Sequence, residues 1–414
     1  MPVPSSSLLL RDYLKPYLRL LSAWERRHLY EFCRSVLSCR SSILSRAGRS
    51  RLQRAGGLRS RLDDWVKTMS ALLEKLPWEQ MWKAHAKRLR GRQETWKLVI
   101  HDGSDIAKPW AEKLEGLSTV HDGSTGELVT GYTFCLSVGC GKQLWDIHPI
   151  KATLLNPKDE EFESQNTSFH QHITDILSAE IGLDCLHVFD RGFDGEEWFS
   201  FLDGQEIAWM IRLKEKRNVL FHGEVHLLTS VAETILSERP LVDGDCTYAR
   251  CDIGITIGKE VRTYGFIAVR REKFQKPLLL LVNWRVKDLW EAMKLYRNYL
   301  DRWEVEDTIR FLKQSLKTEQ MQLRSFDRLK YFLNLQVLLV DFLLREYDIG
   351  VRPIGAPLRE VLLRSIQQDT RILSPYLLAD HIGDDLLGHQ HDRNIDLVPR
   401  ESTQLSLLPS MDVS

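Results

Sequence analysis

The sequence predicts an α/β fold in which a mixed sheet carries helices on its faces and follows a helical N-terminal segment. Three observations support this prediction. Apolar residues recur at helical spacing over residues 10–38 and 62–90. Short β runs begin at Trp96 and alternate with helical segments. A long stretch rich in β signals then separates the last of these strands from a charged helix.

Residues 1–95 are predicted to form a helical domain with a strong positive charge. The chain has 57 basic and 57 acidic residues, so its formal net charge is zero. Residues 1–62 nevertheless hold 13 basic residues against 3 acidic ones, and 13 − 3 gives a charge of +10. Such a segment favours an anionic polymer as partner, although an arginine-rich helical bundle also fits the composition. Its stretch SRAGRSRLQRAGGLRSRL is predicted to be a basic loop or a short helix.

Residues 96–213 are predicted to form the first part of the core. TWKLVIHDG is typical of a strand, and GYTFCLSVGCGKQLWDIHPIKATLL of two strands joined by a Gly-Cys-Gly-Lys turn. A helical segment at 160–181, the strand LHVFDRG, the helix EEWFSFL and the strand IAWMIRL follow. The first three strands are close enough in sequence to form an antiparallel meander. This succession is the layout of a ribonuclease H-like core.

The remaining segments complete the predicted organisation. Residues 214–285 are predicted to form a β-rich insertion within the core. Residues 286–345 are predicted to form the remainder of the core, including the helix YLDRWEVEDTIRFLK. Residues 346–414 are predicted to be a C-terminal helical region ending in a polar tail, which we expect to be poorly ordered.

The composition excludes several classes of protein. Apolar residues make up 43% and charged residues 28%, as in a folded soluble protein, and no run of 18 apolar residues predicts a membrane span. The N-terminal residues lack the pattern of a secretion signal, so we expect a cytoplasmic protein. The seven cysteines show neither C-x-x-C nor zinc-finger spacing, and reduced thiols are the preferred interpretation.

Two aspartates end predicted strands and could share a metal. Asp102 follows LVIH and Asp190 follows HVF. Carboxylates that project from neighbouring strand ends repel one another, and a divalent cation between them would remove that repulsion. A turn is an alternative role for Asp102, because Asp-Gly-Ser often follows a strand. Asp105 and Asp194 are the nearby competitors.

The helix YLDRWEVEDTIRFLK places four polar side chains on one face. At about 100° per residue, Tyr299, Arg302, Glu306 and Lys313 lie within one narrow sector, and no Gly or Pro interrupts the segment. Glu304, two residues before Glu306, points away from this sector. A charged face exposed to solvent is the alternative interpretation.

Three blocks together resemble a known family. VIHDGSDIAKP, VFDRGFDGEEW and YLDRWEVEDTIRFLK, in this order, are similar to the catalytic blocks of DDE transposases of bacterial insertion sequences. The third block matches the signature Y-x(2)-R-x(3)-E-x(6)-K of the insertion-sequence-four type. The resemblance covers about residues 96–325 and leaves the N-terminal domain and the tail unassigned.

The resemblance implies roles for individual residues. Asp102, Asp190 and Glu306 would be the catalytic residues and would bind two Mg²⁺ ions, for which Mn²⁺ would substitute. Tyr299, Arg302 and Lys313 would hold phosphates beside the cleaved strand. The plausible DNA-backbone contacts, each with a structural ion pair as alternative, are Arg191 and Arg212. The weak candidates for stacking on a flipped base are Trp284 and Trp290.

The function that the resemblance implies is DNA transposition. The protein would bind the terminal inverted repeats of an insertion sequence, hydrolyse the phosphodiester at each end and direct the freed 3′-hydroxyl onto target DNA. Pairing two ends implies a homodimer in the synaptic complex, and a bacterial protein of this kind would associate with the nucleoid, not with a membrane. The alternatives are a structure-selective nuclease on the same core and a catalytically silent DNA-binding remnant.

Overall fold

The computed structural model describes residues 6–55, 60–123, 125–141, 146–238, 240–351 and 375–387. Five helices precede the sheet, and their bounds are Ser6–Leu18 (α1), Ala23–Cys39 (α2), Leu44–Ala55 (α3), Ser60–Lys75 (α4) and Trp78–Arg90 (α5). The helical pattern over residues 10–38 therefore contains a break. Ser22 and Glu25 cause it, since each side chain accepts a hydrogen bond from the other's backbone N–H and together they cap α2. Much of the stretch predicted as a basic loop or short helix is the helix α3.

The core sheet has the predicted mixed arrangement. Its strands are Trp96–Ala107 (β1), Ser118–His121 (β2), Leu128–Gly141 (β3), Ile147–Leu154 (β4), Leu186–Phe189 (β5) and Ala208–Arg212 (β6). β1, β3 and β4 form an antiparallel meander, and β5 and β6 continue the sheet parallel to β1. The two crossover helices are Gln165–Ser178 (α6) and Glu196–Asp203 (α7). The ribonuclease H-like fold class is thus confirmed, with β2 as an additional strand paired to β3.

Two strand ends differ from the prediction. β1 does not end at Asp102 but continues to Ala107, because its antiparallel pairing with β3 persists over the whole of that length. Likewise, Gly139, Cys140 and Gly141 belong to β3 and not to a turn. The rest of the segment between β3 and β4, residues 142–145, lies outside the described residues.

The β-rich insertion extends the core sheet. Its elements are Asn218–Phe221 (β7), Glu224–Leu227 (β8), Leu228–Glu238 (α8), Leu241–Asp243 (β9), Cys246–Ile257 (β10), Glu260–Arg271 (β11) and Leu278–Val282 (β12). β12 pairs with β6, and β11, β10, β7 and β8 follow in that order. β9 pairs with the first residues of β10, on the same edge as β7. The helix α8 was not predicted, because the β signals around it are stronger.

The C-terminal helices begin after the insertion and are Leu289–Leu300 (α9), Trp303–Ser315 (α10), Phe326–Val351 (α11) and Pro375–Leu387 (α12). The predicted single helix from Tyr299 to Lys313 is wrong, because α9 ends at Leu300 and α10 begins at Trp303. The predicted polar tail beyond residue 387 lies outside the described residues. None of the described helices is both long and apolar enough to cross a membrane. The domain boundaries stay predictions.

A buried ionic network joins the N-terminal helices to the core. Asp341 of α11 is fully buried and accepts a hydrogen bond of 2.7 Å from the Tyr13 hydroxyl of α1. Arg92 approaches its other oxygen at 3.3 Å, and His148 of β4 lies 3.8 Å from the same atom. Burial by itself would raise the pKa of Asp341, but His148 and Arg92 hold it below its ordinary value. The carboxylate therefore links α1, α11 and β4.

Asp341→Ala is expected to lower the free energy of unfolding by about 3–5 kcal/mol, because it leaves buried cationic partners without their counterion. Urea denaturation of the purified chain measures this change. The matched control is Asp327→Ala on the same helix, whose exposed carboxylate lies 4.0 Å from Lys330. Equal effects of the two substitutions would contradict the structural role of Asp341.

Candidate active site

Parallel pairing of β1 and β5 brings two aspartates together. The paired register ends at His101 opposite Phe189, so Asp102 and Asp190 are the next residues on adjacent strands. Asp102 accepts a hydrogen bond of 2.8 Å from the Gly103 N–H. Asp190 begins a 3-10 turn and accepts one of 2.7 Å from the Gly192 N–H. One oxygen of each carboxylate is thus held by a neighbouring backbone N–H group.

Glu306 comes to this pair from the first turn of α10. Its Oε1 lies 2.6 Å from Nη1 of Arg302, and the same nitrogen lies 3.6 Å from Oδ2 of Asp102. One guanidinium therefore bridges a carboxylate on the helix and a carboxylate on the sheet. The structure thus places Asp102 beside Asp190 and links Asp102 to Glu306 through Arg302.

The electrostatics of the cluster favour an additional cation. Burial, the neighbouring Asp190 and, to a smaller extent, Glu306 raise the pKa of Asp102 to about 7, although Arg302 opposes this shift. One guanidinium is therefore not enough to stabilise the ionised form of Asp102 fully. A set of carboxylate oxygens suits Mg²⁺ or Mn²⁺. Among the described residues, however, no group of three potential ligands is already gathered closely enough to hold a metal.

The other residues of the predicted polar helix face lie in two different places. Tyr299 is buried at the end of α9, and the centre of its ring lies 5.8 Å from Cζ of Arg302. Its buried hydroxyl has no hydrogen-bond partner among the described atoms. Lys313 lies in the last turn of α10, where its Nζ is 3.1 Å from Oε1 of Glu319. Tyr299 and Arg302 thus lie beside the carboxylates of Asp102 and Glu306, whereas Lys313 forms an ion pair with Glu319 at the other end of α10.

The two additional arginines flank the site. Arg191 directly follows Asp190 and is exposed, and Arg212 is the last residue of β6. The charges of both Arg212 and Asp190 influence the pKa of Tyr299, which burial raises, so these three side chains share one region. Within the described part of the chain, neither arginine forms an ion pair with an acidic side chain. The structural ion-pair alternative therefore has no support there.

The competing carboxylates have other partners. Asp105 accepts a hydrogen bond of 2.6 Å from the Thr133 hydroxyl. Asp194 is buried, forms an ion pair with Arg217 and accepts a hydrogen bond of 2.6 Å from the Lys214 N–H. Glu304, the other glutamate in the first turn of α10, is half-buried. Burial raises its pKa to about 7, and the negative charges of Asp307 and Asp301 add to this shift.

An open cleft of about 380 Å³ contains the carboxylates of Asp102 and Asp190. Asp102, Asp190 and Asp105 line it together with the aromatic side chains of Phe169 and Trp198. Trp284 and Trp290, the weak candidates for base stacking, do not line it. Trp284 donates a 3.0 Å hydrogen bond to Glu291, and Trp290 is largely exposed on α9.

Comparison with known proteins assigns part of the chain. Residues 160–340 match the family described as "Transposase DDE domain". The match includes Asp190, Arg302 and Glu306 and begins after Asp102. No curated protein matches the chain significantly.

A solved structure is also similar to this chain. It is the cryo-EM structure of the piggyBac transposase synaptic complex with hairpin DNA, at 9% sequence identity and a TM-score of 0.45. The similarity covers 93% of this chain and 80% of that chain.

Beneath the carboxylates of Asp102 and Asp190 lies a hydrogen-bonded chain of histidines that the sequence did not reveal. His187 Nε2 lies 3.0 Å from the Gly182 carbonyl, and its Nδ1 lies 2.9 Å from His101 Nε2. The chain continues from His101 through Ser137 to His172 with separations of 2.6 and 2.7 Å. Burial lowers the pKa of all three imidazoles, so they are neutral. The only available signal was that His101 and His187 occupy apolar strands.

The direction of this chain follows from its end. A carbonyl can only accept, so His187 donates to Gly182, and each neutral ring must then accept at its other nitrogen. His101 consequently donates to His187 and accepts from Ser137, which accepts from His172. A single arrangement of protons satisfies the whole chain, and it ties β1, β3, β5 and α6 together next to Asp102 and Asp190.

Asp102→Asn is expected to raise the melting temperature at pH 8 in the absence of divalent metal, because it removes a buried charge. A carboxyl whose pKa is higher in the folded state binds its proton more tightly there, so its ionisation lowers stability as pH rises from 3.8 toward 7. The difference from wild type should therefore shrink on going to pH 4. Asp105→Asn is the control and should give no increase. An Asp102→Asn variant that melts at or below wild type at pH 8 would contradict this account.

Proposed function

We propose that the protein is a DNA transposase of the insertion-sequence-four type in which Asp102, Asp190 and Glu306 are the catalytic carboxylates. The observation that carries this proposal is that Asp102 lies beside Asp190 and is linked through Arg302 to Glu306, in a chain whose residues 160–340 match the "Transposase DDE domain" family. The reaction is hydrolysis of a phosphodiester at the transposon end, followed by transfer of the freed 3′-hydroxyl to target DNA.

The three carboxylates would hold two Mg²⁺ ions, with Mn²⁺ as a substitute. Bound ions of this kind supply activation of the attacking oxygen and stabilisation of the leaving oxygen. The buried, mutually repelling carboxylates support the assignment, since burial and Asp190 disfavour ionisation of Asp102 in the absence of a cation. The protein's own contribution is to fix the carboxylates from the backbone, through the Gly103 and Gly192 N–H groups.

Five further side chains are proposed to position the DNA backbone. A guanidinium forms a planar fork for phosphate oxygens, an ammonium acts as a point charge and a phenol donates a neutral hydrogen bond. The unpartnered hydroxyl of Tyr299 supports such a role, because a buried donor requires an acceptor. The residues that we propose to contact DNA phosphates are Tyr299, Arg302, Lys313, Arg191 and Arg212.

A basic surface supports binding of duplex DNA by the N-terminal helices. We define it as Lys313, Lys317, Arg46 and Arg49. Lys317 follows α10 in the left-handed conformation, and Arg46 of α3 reaches Gln320 at 3.5 Å. The charges of Arg46 and Lys317 both lower the pKa of the Cys39 thiol, which burial raises, so both lie on the side of the molecule that holds Cys39. No ion pair joins Lys317, Arg46 or Arg49 to an acidic side chain in the part of the chain that the structure describes.

The basic surface extends from α10, which carries Glu306, to α3 in the basic N-terminal region. We infer that the transposon end lies along it, with its terminal phosphodiester at the carboxylates and its inverted repeat against the N-terminal helices. Pairing of two such ends requires a homodimer in the synaptic complex. The proposed location is the bacterial cytoplasm, in association with the nucleoid.

Glu306→Gln is expected to abolish strand cleavage of transposon-end DNA in Mg²⁺ while leaving end binding nearly unchanged. The amide keeps the shape of the side chain but is a poor metal ligand. Cleavage on gels and end binding by mobility shift measure the two effects. Glu304→Gln is the matched control on the same helix and should retain cleavage, and full cleavage by Glu306→Gln would refute the site.

The wild-type protein in that assay separates the alternatives. Cleavage of branched DNA without any requirement for paired inverted repeats would favour a structure-selective nuclease. Tight binding of the ends without cleavage would favour a catalytically silent remnant.

A double variant, Arg46→Ala with Lys317→Ala, is expected to weaken binding of duplex DNA. The slope of log affinity against log salt should fall by about 1 for each phosphate that the variant no longer neutralises. Fluorescence anisotropy at several salt concentrations measures the slope. Lys276→Ala is the control, because Lys276 is paired with Glu215 at 3.0 Å in the insertion. A slope identical to that of wild type would exclude the basic surface from the DNA interface.

A further inference from the structure

Arg302 occupies an unusual place for a side chain expected to meet DNA. It lies between α9 and α10 with 9% of its side chain exposed. Its Cζ is 5.8 Å from the ring centre of Tyr299 and 5.3 Å from that of Trp303, so two aromatic rings restrict it. In this position it faces the protein's own carboxylates, Glu306 at 2.6 Å and Asp102 at 3.6 Å.

The guanidinium and a divalent cation require the same atoms. Glu306 Oε1 and Asp102 Oδ2 are the oxygens nearest to Arg302 Nη1, and these two side chains are also the proposed link between helix and sheet across the metal site. A cation bound between them would lie within a few ångströms of a buried positive charge, where repulsion is poorly screened. The two positive groups therefore compete for these carboxylates.

We propose that Arg302 is a built-in counterion that takes the place of the divalent cation in the metal-free protein. It holds Glu306 against Asp102 and so keeps α10 docked on β1 while no metal is present. Metal binding then displaces the guanidinium from Glu306. This inference rests on the proposed function, since it takes the three carboxylates to be the metal site.

The exchange couples metal binding to DNA binding. A displaced guanidinium, still held near the cleft by its short connection to the helix, becomes free to pair with a phosphate of the DNA strand. Because coupling between two ligands is reciprocal, DNA that draws Arg302 away must raise the affinity for metal by the same factor as metal raises the affinity for DNA. The result is a site that favours metal and DNA together over either alone.

The test is the affinity of the full chain for Mn²⁺, measured by calorimetry without DNA, for wild type and Arg302→Gln. The variant is expected to bind Mn²⁺ about tenfold more tightly, a typical size for coupling between ligands. It should also melt at a lower temperature than wild type without metal, and recover more of its stability on addition of Mn²⁺, because its carboxylates then lack any counterion. Equal or weaker Mn²⁺ binding by Arg302→Gln would overturn the proposal.

Two controls make the outcome specific. Arg310→Gln removes an arginine of the same helix that pairs with Asp307 at 2.6 Å, and it should leave Mn²⁺ affinity unchanged. Arg302→Lys retains the charge without the planar fork and should give an intermediate affinity, which protects the test if Arg302→Gln fails to fold.

A further variant separates failure of this inference from failure of the proposed function. Asp190→Asn removes a carboxylate for which the structure shows no ion pair to Arg302, and it should abolish Mn²⁺ binding in both the wild-type and the Arg302→Gln background. Binding that survives Asp190→Asn would refute the metal site itself. Abolished binding in Asp190→Asn, together with unchanged affinity in Arg302→Gln, would refute only the counterion role.

Discussion

The parallel pairing of β1 with β5 is the constraint on which the site depends. It ends at His101 opposite Phe189 and so fixes Asp102 beside Asp190 at a depth where charge is costly. The neutral histidine chain below holds the two strands in this register through hydrogen bonds that accept only one arrangement of protons. The repulsion that results requires positive charge, and the nearest described source is Arg302.

Much of the core could be predicted because its elements have local signals. The strands around LVIH and HVF, the two crossover helices and the acids Asp102, Asp190 and Glu306 all follow from short patterns with fixed spacing. The continuation of β1 to Ala107 could not be predicted, because it depends on pairing with β3, whereas the local sequence Asp-Gly-Ser is typical of a turn. The insertion likewise joins the core sheet through β12 and β6, a pairing between distant residues.

The helix break between Leu300 and Trp303 could not be predicted from the sequence. Periodicity placed four side chains on one face of a continuous helix, and no Gly or Pro marked an interruption. In the structure Asp301 and Arg302 keep right-handed backbone angles but form tighter hydrogen bonds, such as that from the Arg302 N–H to the Tyr299 carbonyl at 3.0 Å. Glu306 and Arg302 still meet because they are four residues apart, whereas Lys313 pairs with Glu319 instead.

The most direct test of the account is a crystal structure of the full chain soaked in Mn²⁺, with anomalous scattering used to locate the ions. We expect anomalous density at the cluster of Asp102, Asp190 and Glu306, with the Arg302 guanidinium turned away from Glu306. Density at other carboxylates, or none at these three with Arg302 still bridging Asp102 and Glu306, would contradict it.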